Sequence, residues 1–250
     1  MTTSSVPSSA ASSGASRSSG GSGTAGSGER LTRHPERGSR ERADLDALLD
    51  SQWYGTLSTV TADGRPWAVP MLYARDGDRL LVHGSTGAGA LRAVAAGAPA
   101  VLSVISVQGL VVGHTTFESS VNYRSATVRG VLRRLAGDEQ AQALDRLSET
   151  LIPGRTGEVR AMTRRELAAT LVSALDIVDG SWLYKARAGW PSDAADSDSV
   201  EHPSWAGIVP VTGGYGEPVP APWVAQDAPP MPESVRRLVE GTRGERAASD

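Results

Sequence analysis

Residues 54–74, YGTLSTVTADGRPWAVPMLYA, form the most clearly patterned stretch of the chain and indicate a β-hairpin. Its first half is rich in β-branched residues, residues 62–64 (Ala-Asp-Gly) have the composition of a tight turn, and residues 65–74 return with alternating large side chains. A second turn at 76–78 leads into a third extended segment, 79–83. Three strands joined by tight turns predict an antiparallel meander and not a parallel βαβ unit.

The segments that follow continue the alternation of strands and helices. Further strands are expected at Ala100–Val107, Leu110–Phe117, Val121–Leu132 and Leu175–Arg187. Helices are expected at Arg40–Ser51, Ala88–Ala96 and Asp138–Ile152, and from the capping-box motif at Thr163 to about Ala174. Six or seven antiparallel strands with flanking helices predict a mainly β fold of the small-barrel type.

The two ends of the chain differ in composition from its middle. Residues 1–29 are mostly Ser, Gly, Ala and Thr, and such a segment cannot bury enough apolar surface to offset its ordering entropy. Residues 212–250 are rich in Pro, Gly and charge, with one short helical candidate at 233–239. We therefore expect one domain at 30–211 between a disordered N-terminal tail and a mostly disordered C-terminal tail.

Charge and residue usage exclude several classes of function. The net charge is -3 and no basic stripe is interleaved with aromatic residues, so nucleic acid is not an expected partner. The chain has no cysteine, which excludes disulfides and thiolate sites, and its four histidines lack metal-ligand spacing. With no secretory signal and no apolar run of about 20 residues, a cytoplasmic location without a membrane partner is expected.

Two segments contain residues suited to binding a phosphate. Residues 83–87, His-Gly-Ser-Thr-Gly, stand between a strand and a helix, where unpaired backbone N–H groups and the helix dipole attract an anion. The alternative is an ordinary turn in which Ser85 or Thr86 caps the helix. Asn122, Tyr123 and Arg124 place amide, phenol and guanidinium groups at the start of a strand, which is also compatible with a solvated strand end.

Pro70 lies in the middle of a predicted strand, although proline cannot donate a hydrogen bond to a sheet. It therefore marks an edge strand, a bulge or a surface that faces a ligand. A flat cofactor lying along residues 70–72 is one explanation, and a plain edge strand is another.

These segments together resemble the pyridoxamine 5′-phosphate oxidase superfamily, in its flavin-nucleotide-binding and nitroimidazole-reductase-like branch. The resemblance rests on an ordered set of stretches: residues 64–73, 81–85, 120–125 with Gly130, 151–155, 184–189 and 205–210. It implies an FMN-binding split β-barrel that forms a homodimer, with the cofactor held at the dimer interface.

The resemblance also assigns candidate site residues. It places the flavin ring near Pro70, Met71, Leu72 and Tyr73, and the phosphate near Gly84, Ser85 and Thr86. Further groups expected to line the same groove are Asn122, Tyr123, Arg124, Lys185 and Arg187. Relatives commonly carry Arg or Lys after the Ser-Thr turn, where this chain has Ala88-Gly89-Ala90. Losing that cation weakens phosphate binding unless Arg92, Arg124 or an N-terminal arginine replaces it.

The resemblance implies an FMN-dependent oxidoreductase that acts on a small flat substrate, with His83 as the substrate-side residue. A deazaflavin or a haem is the alternative cofactor, because related split barrels use several flat cofactors. The rival hypothesis is a non-catalytic module that binds a flavin, a B6 vitamer or another flat cofactor.

Overall fold

The computed structural model describes residues 31, 33–61, 63–87, 91, 97–191, 206–213, 215, 218 and 231–247. Within them, the helices are α1 (Arg42–Ser51), α2 (Gly137–Leu151), α3 (Arg164–Ala169) and α4 (Glu233–Ala247). The strands are β1 (Gly38–Ser39), β2 (Tyr54–Val60), β3 (Pro66–Asp76), β4 (Arg79–Ser85), β5 (Pro99–Val112), β6 (Ser120–Val131), β7 (Arg133–Arg134), β8 (Thr170–Asp176), β9 (Trp182–Arg187) and β10 (Gly207–Pro210).

The ten strands form one antiparallel sheet in the order β1-β9-β6-β5-β2-β3-β4-β8-β7, and β10 pairs with β5 beside this path. The sheet is divided at β3, where residues 66–72 pair with β2 and residues 73–76 pair with β4. The predicted mainly β, antiparallel fold is confirmed, whereas the expected count of six or seven strands is wrong. Three of the ten strands, β1, β7 and β10, have two to four residues each, which is too short to produce a visible pattern.

Two predicted boundaries are also wrong. The expected strands at 100–107 and 110–117 are replaced by the single strand β5, which ends at Val112 and pairs with β6 on both sides of a bulge at Gln108. The expected helix 163–174 stops at Ala169, and β8 begins at Thr170, so the expected strand 175–187 is in fact parts of β8 and β9. A turn at 177–181 with Gly180 at φ 79° separates these two strands.

The main core lies between the two halves of the sheet and is covered by α1. Leu45, Leu48 and Leu49 of α1 are buried together with Leu57 of β2 and Leu102 of β5. The strands alternate as expected for one buried face, since Leu80 and Val82 point into this core while Leu81 points away. Because the sheet does not close on itself, α1 excludes water from the open side of the core.

A second, smaller core lies on the opposite face of β4 and β8. Leu144 and Leu147 of α2 pack there against Leu81, Val172 and Ala174. This layer fixes the position of β4, the strand that carries His83, relative to the rest of the sheet.

The ends of the chain are described only in part. The expected tail 1–29, most of the tail 212–230 and most of the expected helix 88–96 lie outside the described residues. The helix expected at 233–239 lies within α4, whose first turn is held by Glu158, which accepts a hydrogen bond from the backbone N of Ser234 at 2.9 Å. None of the helices that the structure describes is long and apolar enough to cross a membrane.

Candidate functional site

The edge of β3 around Pro70 is open. β4 pairs with β3 only from Tyr73 onward, and no other strand in the described part of the chain pairs with that edge at 66–72. The Tyr73 N–H donates to the Trp53 carbonyl on the β2 side at 3.0 Å. Because backbone groups alternate along a strand, the nitrogen of Pro70 and the N–H of Leu72 face the open edge. The open edge therefore offers backbone hydrogen-bonding groups to a ligand.

His83 lies beside this open edge, on the face of β4 that also carries Leu81. Its Nδ1 atom is buried and has no hydrogen-bond partner among the described residues. Burial lowers the pKa of His83 below its usual value, so the ring is neutral near pH 7. A neutral imidazole can donate a hydrogen bond from one ring nitrogen and accept one at the other.

The turn after His83 is stabilised by its own hydrogen bonds. The backbone N and the hydroxyl of Thr86 both donate to the Ala169 carbonyl, at 3.1 and 3.3 Å, and Ser85 Oγ accepts from the Gly87 N–H at 3.1 Å. A Cβ on Gly84 would lie 2.6 Å from Leu91 Cδ2, so a side chain at this position would displace the buried Leu91. The phosphate site predicted here depends on residues 88–90 and Arg92, which lie outside the described residues.

A second polar group lies where β6 begins and β9 ends. Asn122 is buried, and its Oδ1 accepts hydrogen bonds from Arg187 Nη1 at 2.6 Å and from the Gly189 N–H at 3.1 Å. Its Nδ2 donates to the Gly189 carbonyl at 3.1 Å. Asn122 therefore fixes the position of the Arg187 guanidinium and of the chain that follows β9.

Three further candidate residues lie on the same two strands, β6 and β9. Lys185 Nζ lies 5.9 Å from the ring centre of Tyr123, within the range of a cation–π contact. Arg124 points to the opposite face, toward Tyr184 in the core, and its Nε is buried with no hydrogen-bond partner in the described part of the chain. Burial raises the pKa of Tyr184 and keeps its phenol protonated.

Of the ring-binding candidates, Pro70 and Leu72 share the outer face of β3, which is the face directed away from the main core. Met71 packs against the main core. Tyr73 is fully buried and its hydroxyl donates to the Leu49 carbonyl at 2.8 Å. Burial also raises the pKa of Tyr73, so this phenol contributes to the core and its side chain does not face the open edge.

The predicted site residues thus form two groups on different strands. The first group, around β3 and β4, contains Pro70, Leu72, His83, Ser85 and Thr86. The second group, around β6 and β9, contains Asn122, Tyr123, Lys185 and Arg187. Strands β2 and β5 separate the groups, so β3 and β9 are about 19 Å apart along the sheet. The two groups therefore lie on separate parts of the sheet in a single chain.

The outer face between the two groups carries several exposed apolar side chains. Tyr54 and Val60 of β2, Ile105 and Val107 of β5 and Val131 of β6 are exposed there. A groove of about 530 Å³ at one end of this face is lined by Val60, Pro99, Val101, Arg129 and Val131, among others. Sequence reasoning did not single these residues out, although β5 is apolar on both faces, a pattern typical of a strand that is covered on both sides.

His83 predicts a specific pH dependence of stability. Its pKa is lowered in the folded protein, so below the ordinary value of 6.5 the unfolded chain binds a proton that the folded protein does not. The free energy of unfolding is therefore expected to fall as the pH drops through about 6.5. Urea unfolding at about pH 7.5 and about pH 5.5 should show a smaller decrease for His83→Gln than for the wild type. His34→Gln, at an exposed histidine, should retain the wild-type decrease.

Comparisons with known proteins agree with this architecture. The family described as pyridoxamine 5′-phosphate oxidase matches residues 41–182. The FAD and haem binding protein from Mycobacterium smegmatis is 47% identical, with 81% of this chain and 97% of that chain covered and a TM-score of 0.76. The flavocytochrome Anf3 from Azotobacter vinelandii is 27% identical, with 83% and 94% covered and a TM-score of 0.75.

A candidate 5-nitroimidazole antibiotic resistance protein from Bacteroides thetaiotaomicron shares the fold at 17% identity, covering 59% of this chain and 85% of that chain with a TM-score of 0.50. No curated protein sequence matches the chain. The family match spans more than half of the chain, and the 47% identical relative is covered almost completely. The chain therefore belongs to the pyridoxamine 5′-phosphate oxidase-like family of flavin- and haem-binding split barrels.

Proposed function

We propose that this protein binds a flavin nucleotide and acts as a flavin-dependent oxidoreductase on a small, flat acceptor such as a quinone or nitroaromatic compound. The observation that carries the proposal is the open edge of β3 beside the neutral His83, whose Nδ1 has no hydrogen-bond partner among the described residues. A relative that is 47% identical and is described as binding FAD and haem supports it.

The residues of the β3–β4 group fit the ring of a flavin. The polar edge of the flavin ring requires hydrogen-bond donors and acceptors. The open edge of β3 supplies the backbone N–H of Leu72 and neighbouring carbonyls. Pro70 and Leu72 supply flat apolar contact, and the buried Nδ1 of His83 still lacks a partner in the described part of the chain. The flavin would carry the electrons, while these residues position its ring, exclude water and, at His83, offer a hydrogen bond to the substrate.

The nucleotide is either FMN, as the resemblance implies, or FAD. The terminal phosphate of FMN is nearly a dianion and needs close cations. The described residues of the turn, Ser85–Gly87, include no Lys or Arg. FAD replaces that dianion by a diphosphate bearing one charge per phosphorus and adds an adenine that can stack. We favour FAD over FMN because the relative that is 47% identical is described as an FAD and haem binding protein.

The complete site requires a second copy of the chain. Strands β2 and β5 separate the two residue groups in one chain, and the outer face between them carries exposed apolar side chains. In a homodimer that buries this face, the β3–β4 group of one copy can meet the β6–β9 group of the other. The dimer would also cover β5 on its second apolar face.

Haem is a second candidate ligand. Of the relatives reported above, the two with the highest TM-scores are described as an FAD and haem binding protein and as a flavocytochrome. The His83 ring is neutral and its Nδ1 has no partner among the described residues, which suits an iron ligand. A protein that showed only a haem spectrum, with no flavin released on denaturation, would favour this candidate over the flavin.

The proposed activity is tested with the purified full-length protein and NAD(P)H plus a quinone. We expect flavin to be released on denaturation, the bound flavin to bleach with NAD(P)H, and the quinone to reoxidise it. His83→Gln should keep the flavin and lower the turnover rate by about 100-fold, because it loses the positioned imidazole that hydrogen-bonds to the substrate. His34→Gln, at an exposed histidine paired with Glu36, is the matched control and should retain wild-type turnover. A protein that binds no flavin even with FMN or FAD added would contradict the proposal.

A further inference from the structure

Phe117 and Trp190 are the two most exposed large apolar side chains among the described residues, at 95% and 75%. Phe117 lies in the loop before β6, and Trp190 follows the end of β9. Tyr123 of β6 pairs with Arg187 of β9, so both aromatic residues lie at the same end of two neighbouring strands. Two exposed aromatic side chains at the same end of neighbouring strands, next to a polar cluster, are a feature that requires an explanation.

Both aromatic residues are carried by loops with defined hydrogen bonds. In the first loop, the Thr115 N–H donates to Glu118 Oε2 at 3.2 Å and the Gly113 N–H donates to Ser119 Oγ at 3.1 Å. In the second, the side chain of Asn122 binds both the N–H and the carbonyl of Gly189, next to Trp190. The backbones that present these rings to solvent are therefore held in place.

The strand that leads to Trp190 carries two cations that have no carboxylate partner among the described residues. Neither Lys185 nor Arg187 forms an ion pair with an Asp or Glu in the described part of the chain. Arg187 Nη1 donates hydrogen bonds to Asn122 Oδ1 and to the Gly189 carbonyl. The Nε and Nη2 hydrogens of Arg187 are left for a further acceptor. A guanidinium oriented in this way is suited to bidentate binding of a phosphate.

We infer that Lys185, Arg187, Trp190 and Phe117 form a subsite for the adenosine diphosphate half of a dinucleotide. The two cations pair with the diphosphate, and the indole of Trp190 stacks on the adenine, with Phe117 covering the outer side. The combination of unpaired cations and a held, exposed indole matches the charge and the flat face of such a ligand. This inference rests on the proposed function, since the dinucleotide it assigns is FAD.

The subsite is tested by titrating FAD and FMN separately into flavin-free full-length protein and comparing wild type with Trp190→Ala. FAD carries adenine and FMN does not, so the variant should weaken FAD binding by about tenfold and leave FMN binding unchanged. Phe117→Ala should show the same selectivity with a smaller effect. Val178→Ala removes a comparably exposed side chain (58%) in the turn before β9, at the opposite end of that strand, and should change neither affinity.

The outcomes separate the subsite from the proposed function. If the wild type binds both nucleotides and Trp190→Ala weakens neither, or weakens both equally, the subsite is wrong while flavin binding stands. If the wild type binds neither nucleotide, the proposed function itself fails. ADP alone should compete with FAD in the wild type and compete less well in Trp190→Ala, which provides a readout that does not depend on the flavin ring.

Discussion

Ile105→Glu is expected to convert a flavin-binding dimer into a monomer that retains no flavin. Ile105 is 53% exposed at the centre of the apolar outer face formed by β2, β5 and β6. In the proposed dimer this position is covered by a second copy, and a buried carboxylate without a partner costs several kcal/mol. Because each site takes residues from both copies, loss of the dimer should also remove the flavin.

The mass in solution and the flavin-to-protein ratio are the two measurements, made by light scattering and by absorbance after denaturation. Val178→Glu is the matched control, because Val178 is equally exposed at 58% but lies in the turn between β8 and β9. It should leave mass and flavin content unchanged. A variant Ile105→Glu that remained dimeric, or a monomer that held flavin at the wild-type ratio, would show that this face does not complete the site.

Much of the fold could be predicted where the local pattern is strong. The hairpin 54–74 and the capping box at Thr163 are both present, with Glu166 accepting from the Thr163 N–H at 2.7 Å. The boundaries that could not be predicted depend on tertiary pairing. The residues Gln108-Gly109 stand between two expected strands, yet β5 continues to pair with β6 on both sides of them, so the chain forms a bulge there.

The candidate site could be predicted by segment but not by side chain. Resemblance identified residues 70–73 as one unit, whereas strand alternation points Pro70 outward and buries Tyr73 against Leu49. Asn122 is expected to line the cofactor groove, and the structure adds that its amide binds Gly189 and Arg187. The hydrogen-bond partners of Asn122 are more than 60 positions away in the sequence, so no local pattern reveals them.

The open sheet links the fold to the proposed function. A closed barrel would pair both edges of β3, whereas here β4 leaves β3 after Tyr73 and the backbone at 66–72 stays available to a ligand. The same division leaves one side of the main core uncovered by strands. Helix α1 fills that side, and its contacts with Tyr73 join the core directly to the strand that carries Pro70. The integrity of the site therefore depends on the packing of α1.

Leu48→Ala is accordingly expected to reduce the free energy of unfolding by about 2–5 kcal/mol, the range for removing a fully buried leucine side chain. Leu48 is completely buried in α1 among the leucines of the main core, and the strands around it cannot move to fill the cavity without breaking their pairing. Urea unfolding at fixed protein and flavin concentrations measures the change. Leu110→Ala, at a leucine that is 48% exposed, should cost less than about 1 kcal/mol. Equal losses in the two variants would mean that α1 does not seal the core.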